Sequence, residues 1–218
     1  FLGGALQLTN AYGDIFLDEF KYFPKYANSF VVEYSTIIMS ISQISETLFI
    51  LAIPFFLKRF GIKQVMLMSM LAWVLRFGLF ACGDPVGGLW MIILSCIVYG
   101  MAFDFFNISG SLFVETNTDA KIRSSAQGLF MMMTNGVGAI LGSFTSGWAI
   151  DRFFTKSFNS TTALSQFLET EATNSQMIDY IKNHVDSVDA NGVFSNVIMM
   201  KDWHTIWLAF AAYSLIIA

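Results

Sequence analysis

Long apolar runs alternate with short polar turns along this chain. Residues 1–16, 30–57, 65–82, 89–114, 126–150 and 203–218 are dominated by Leu, Ile, Val, Phe, Met, Ala and Gly. A hydrocarbon core about 30 Å thick takes roughly 20 helical residues to cross, so such runs predict membrane-spanning helices. Backbone N–H and C=O groups in lipid must be satisfied within their own segment, which makes the helix the conformation these runs adopt. The predicted fold class is an all-α integral membrane protein. Its parts are a span-bearing region at 1–150, a polar stretch at 151–202 and the start of a last span at 203–218. Phe1 already lies in apolar sequence and the last run stops without a polar flank, which reads as a fragment whose last helix is truncated.

Composition strengthens that picture. The chain is 55% hydrophobic and only 13% charged, with a mean hydropathy of +0.59, whereas soluble domains carry about 25% charged residues. The net charge of −4 arises mainly in 151–202, where seven acidic residues face four basic ones, and it argues against a nucleic-acid partner. The turn Lys58-Arg-Phe-Gly-Ile-Lys63 is basic with no acidic residue, so the positive-inside rule places it in the cytoplasm and orients every span. Turn 83–88 then falls outside, 115–124 inside and 151–202 outside.

Within 151–202, Met177, Ile178, Ile181, Val185 and Val188 recur at helical spacing, predicting short amphipathic helices on the membrane surface, and Asn191-Gly192 marks a turn. Pro24 breaks the first connection, and Pro54 is placed to kink the end of the second span. Cys82 and Cys96 read as small buried hydrophobes. Gly138 and Gly142 form a G-x-x-x-G pair suited to close helix packing in lipid.

Polar groups inside the spans carry the candidate chemistry. Gln7 and Asn10, then Gln43 and Glu46, are each spaced i, i+3 and so share a helix face. The fourth span adds Tyr99, Asp104 and Asn107. Carboxylates at mid-span cost several kcal/mol unless they meet a cavity or a partner, so they mark function by default. Amides, carboxylates and a phenol on three helices suit a neutral, hydroxyl-rich solute, with Phe103, Phe105 or Phe106 available to stack on a flat ring. The competing reading is that these groups only hold helices together. Asp104 and Glu46 also suggest proton coupling, since a carboxyl sheltered from water can load and release a proton. Arg76 reads as a structural cation that snorkels or pairs with a carboxylate on a neighbouring helix. The chain has neither H-E-x-x-H nor G-x-S-x-G, and an enzyme is not expected.

Longer motifs sharpen the reading. Gln7-Leu-Thr-Asn10, Ser40-Ile-Ser-Gln-Ile-Ser-Glu-Thr-Leu-Phe-Ile-Leu51, Val98-Tyr-Gly100, Ala102-Phe-Asp-Phe-Phe-Asn-Ile-Ser-Gly110, Ser125-Ala-Gln-Gly128 and Met132-Met-Thr-Asn-Gly136 resemble the C-terminal half of bacterial nucleoside:proton symporters of the major facilitator superfamily. The resemblance implies helices seven to twelve of a twelve-helix transporter in a bacterial inner membrane, with the N-terminal six-helix half missing and this half alone inactive. It further implies that Gln7, Asn10, Gln43, Glu46, Tyr99, Phe103 and Asp104 line a nucleoside cavity. There the amides and Glu46 would hydrogen-bond the solute, Phe103 would pack on it, and Asp104 would act as proton carrier or gate. The proton is then the coupling ion and no cofactor is expected. A sugar or other polyol is the alternative solute, sodium the alternative ion, and a structural or receptor-like protein the alternative class. The superfamily's cytoplasmic motif G-x-x-x-D-R-x-G-R-R survives only as Arg59-Phe-Gly61 and Lys63, with Lys58 at the Asp position, and 151–202 is longer than the family's usual connection.

Overall fold

The apolar runs form helices in a computed structural model that describes residues 2–23, 26 and 29–218, with the side chains of residues 2, 3, 5–7, 9 and 10 outside the description. Helix α1 covers Leu2–Glu19. A helical turn α2, Phe30–Glu33, precedes α3, Ser35–Phe60. Helices α4, Ile62–Cys82, and α5, Leu89–Asn117, follow. Next come α6, Arg123–Met131, and α7, Gly138–Ala149. They are joined through a π-helical segment, Met132–Val137, and a second such segment follows at Ile150–Phe154. The final helix, α10, is Trp203–Ile217.

Among the described residues, four helical stretches are long and apolar enough to cross a membrane: Ser35–Phe60, Ile62–Cys82, Leu89–Asn117 and Arg123–Phe154. Helix α1 is more polar toward its end, with Asp14, Asp18 and Glu19, and α10 is shorter, at 15 residues. The second span departs from an unbroken 30–57 run because Tyr34 leaves helical geometry (φ −125°, ψ 39°). Pro54 lies inside α3 without ending it. Pro24 falls outside the described residues.

Helix α5 is the hub, packed between α3 and α4, while α10 lies on α4 and α1 on α7. The core of this bundle centres on Phe16, Trp73, Phe77, Phe80, Ile92 and Trp207. Large apolar side chains such as Leu51 and Phe144 are exposed, as lipid-facing positions can be without penalty. Helices α1 and α7 meet backbone to backbone, since a Cβ added at Gly142 would lie 2.3 Å from the Gly4 Cα.

Residues 155–201 fold into a small module of their own at the end of the bundle that carries the 83–88 turn. Strand β1, Thr155–Ser160, pairs antiparallel with β2, Val193–Lys201, in the register Thr155↔Lys201 to Phe158↔Ile198, with a bulge before Ser160↔Val193. Between them lie α8, Thr161–Phe167, and α9, Ser175–His184. Phe158, Leu164, Met177, Ile181, Phe194 and Ile198 supply its core. The helical spacing read from 177 to 188 ends early, because Val188 leaves the helix to bridge Phe194. Thus the spans are helical as expected, and a two-stranded sheet is added between them.

The module is tied to the bundle through charge. Glu19 at the end of α1 accepts from Lys201 Nζ at 2.9 Å and from Trp203 Nε1 at 2.6 Å. Asp202 caps α10 by accepting from the Thr205 amide and pairs with Lys156 at 2.7 Å. Burial pushes the Asp202 carboxyl up, but the Lys156 hydrogen bond and the Thr205 amide outweigh it and hold the group below the usual carboxylate range.

Candidate functional site

The site begins where α3 and α5 touch. Gly100 has no side chain to keep them apart, and a Cβ there would meet the Ser45 carbonyl carbon at 2.5 Å and the Glu46 nitrogen at 2.6 Å. Ser45 Oγ donates to the Ile97 carbonyl across the same seam. On the other side of α5, Ser69 Oγ donates to the Ala102 carbonyl at 2.6 Å. These short side chains satisfy themselves on a neighbouring backbone, as small polar residues in lipid-embedded helices commonly do, and they fix α5 between its neighbours.

With the helices so placed, Glu46 comes beside Tyr99 and forms a side-chain hydrogen bond with it. The Tyr99 ring stacks on Phe103 at 5.6 Å and meets Trp73 edge-on at 5.8 Å. Asp104 follows on α5, only 6% exposed and within electrostatic reach of Glu46. Its Oδ2 atom has no hydrogen-bond partner, and neither has Asn107 Oδ1, although Asn107 Nδ2 donates to the Phe103 carbonyl at 3.1 Å. Asp104 and Asn107 are three residues apart on α5 and so share a face, where both oxygens can accept a hydrogen bond.

The structure therefore brings Glu46, Tyr99, Phe103, Asp104 and Asn107 together on α3 and α5. Gln43 lies exposed, one turn before Glu46. Gln7 and Asn10 are on α1, which runs beside α3, but their side chains lie outside the described residues. Packing differs among the three phenylalanines. Phe105 is enclosed with Phe49 and Phe56, Phe106 packs on Phe130, and half-buried Phe103 stays beside the carboxylates.

Arg76 is the residue whose placement the sequence left open. It does not snorkel: its side chain is fully buried, its Nη1 donates to the Ser95 carbonyl at 2.8 Å, and Ser95 Oγ donates back to the Arg76 carbonyl at 3.0 Å. Its guanidinium lies over the Tyr99 ring, 4.2 Å from the centroid, and within electrostatic reach of Glu46. The one available signal was that a cation alone in an apolar span needs a partner, and sequence spacing cannot say which. Cys82 and Cys96 are free thiols; Cys96 is buried as expected, whereas Cys82, at the end of α4, is exposed. Among the described residues no group of His, Cys, Asp or Glu is clustered to hold a metal ion.

Apolar spans around carboxylates held at mid-helix define a multi-pass membrane protein built as part of a major facilitator transporter half. The profile of the family described as Nucleoside H+ symporter matches residues 1–218, and the chain belongs to that family. It is 51% identical over all 218 residues to the xanthosine permease of Escherichia coli K12 and 47% identical to that organism's nucleoside permease NupG. The chain spans 42% of the length of each of these relatives. The crystal structure of nucleoside transporter NupG superposes on 99% of this chain, covering 43% of its own, at TM-score 0.74 and 47% identity.

Proposed function

We propose that the protein carrying these residues is a proton-coupled nucleoside transporter of the inner membrane that works by alternating access around a site at mid-bilayer. In this reading, residues 1–150 correspond to helices seven to eleven, 151–202 to an external module and 203–218 to the start of the last helix. The observation that carries it is the pair of unsatisfied buried acceptors, Asp104 Oδ2 and Asn107 Oδ1, beside the Glu46–Tyr99 pair and the half-buried Phe103. Ribose hydroxyls supply the donors these oxygens lack, and the half-buried Phe103 ring offers a platform for a flat base. In this reading Gln43 of α3 adds to the polar lining, and the family resemblance assigns Gln7 and Asn10, whose side chains lie outside the described residues, to the same solute. Family membership, and what the relatives are named to carry, support the same reading.

Asp104 and Glu46 are the proton-coupling groups. One proton crossing a potential of 100 mV contributes about 2.3 kcal/mol, enough for a roughly fifty-fold concentration of solute. Residues 1–218 supply one wall of the cavity, and transport needs the other half as well.

The test is uridine uptake by the full-length transporter in proteoliposomes. Uptake rises under an inward proton gradient, is indifferent to a sodium gradient, and is lost in Asp104→Asn and Glu46→Gln. If both variants keep gradient-driven uptake, these carboxylates do not couple the proton. Competition by sugars but not by nucleosides would replace the solute.

A further inference from the structure

Nothing in the proposed transport cycle uses Arg76, yet its surroundings are built around it. A guanidinium buried with 0% exposure inside an apolar span must be compensated by its neighbours, because isolating a charge from water costs far more than one hydrogen bond returns. Four features answer that need. The Ser95 carbonyl accepts from Nη1, and the Ser95 hydroxyl closes the reciprocal bond, which pins Arg76 of α4 to α5. The Phe80 ring lies under the cation at 5.0 Å and the Tyr99 ring at 4.2 Å. Beyond Tyr99 stands Glu46, hydrogen-bonded to it. Away from the helix ends, Glu46 and Asp104 are the acidic residues that α3, α4 and α5 possess.

The order of contacts is a relay from the back of the bundle to the site: Arg76 guanidinium, Tyr99 ring, Glu46 carboxylate. A tyrosine in a helix can swing about its side-chain torsions, and here three neighbours restrict it. Trp73 meets its edge at 5.8 Å, Phe103 stacks on it at 5.6 Å, and Arg76 lies over its ring. The cation adds a directional force of its own to these ring contacts, since the negative face of the ring attracts it. The planar fork of arginine also allows stacking and hydrogen bonding at once, which an ammonium does not.

We infer that Arg76 is a positioning residue for solute binding: it holds the Tyr99 ring so that Tyr99 keeps its hydrogen bond with Glu46, and thereby sets where Glu46 meets the solute. Arg76 itself touches no solute. The inference rests on the nucleoside-transport reading of the site.

A double-mutant cycle on the full-length transporter tests it, with uridine affinity of the purified protein measured by calorimetry. Arg76→Gln and Tyr99→Phe each weaken uridine binding by about tenfold, and the double variant is weaker by about tenfold rather than a hundredfold, because both remove one coupled contact. Arg76→Lys keeps the charge without the planar stack and does not restore affinity. A purely structural arginine would lower the melting temperature and leave the affinity of the folded protein unchanged, and that result would overturn the inference. A cycle in which the two losses multiply would overturn it equally. Should Arg76→Gln fail to fold, Arg76→Lys takes its place in the cycle with the same outcomes. Wild-type protein that binds no uridine sinks the transport reading, whereas wild-type binding with a multiplicative cycle sinks this one.

Discussion

Gly100→Ala adds one methyl group where the α5 backbone lies against that of α3. The new Cβ would lie 2.5 Å from the Ser45 carbonyl carbon and 2.6 Å from the Glu46 nitrogen. These are backbone atoms that no rotamer change can move. Ordinary contact begins at 3.4 Å, so α3 must retreat by about 0.9 Å. Overfilling a packed seam costs about 1–3 kcal/mol. Glu46 travels with the displaced backbone, and its bond with Tyr99, of a kind worth about 1.5–3 kcal/mol when one partner is charged, is weakened or lost. Uridine affinity should then fall about 10- to 100-fold, at about 1.4 kcal/mol for each factor of ten. Gly78→Ala is the control, because a Cβ on that helical glycine meets nothing within 4 Å. It should leave affinity unchanged and raise stability slightly, since alanine is the better helix former by about 1 kcal/mol. Both variants of the full-length protein are compared by calorimetric uridine titration and thermal melting. Wild-type affinity and melting in Gly100→Ala would refute the claim that the α3–α5 seam sets the position of Glu46.

Two further predictions concern the 155–201 module and its junction with α10. Asp202→Ala removes the α10 cap oxygen and costs about 1 kcal/mol, with little added from the pair to half-exposed Lys156. Because the folded-state carboxyl of Asp202 titrates below its unfolded value, its contribution is complete at neutral pH. It is lost as acid protonates the group, so the protection factor of the Thr205 amide, its exchange rate relative to the unstructured rate at the same pH, should fall on acidification and be low at all pH values in the variant. Leu164 is fully buried in the module core, and Leu164→Ala should destabilise it by about 2–5 kcal/mol. Hydrogen exchange should quicken in β1 and β2 and stay slow in α4 and α5; uniform quickening would show that module and bundle melt as one.

The spans were legible because lipid makes secondary structure a local demand: an apolar run must satisfy its own backbone, and only the helix does so within one segment. The candidate carboxylates were legible for a related reason, since Glu46 and Asp104 stand out against apolar neighbours whatever the fold. The 155–201 module was less readable. Its polar composition resembles a loop, and the pairing of Thr155 with Lys201 joins residues far apart in the chain, which no local periodicity encodes. The break at Tyr34 and the π-helical turns after Met131 and Ala149 left no pattern to read either.

By itself, then, the sequence determined that this chain is membrane-embedded and helical, that its motifs belong with nucleoside symporters, and that acidic and amide side chains sit at mid-span. Only the tertiary structure decided which of them meet. It set Gly100 against Ser45, turned Phe105 and Phe106 into packing while leaving Phe103 at the site, and buried Arg76 behind Tyr99 instead of letting it reach the interface. The reason is physical: spacing along one helix fixes which residues share its face, but which face meets which neighbour depends on close packing between helices distant in sequence.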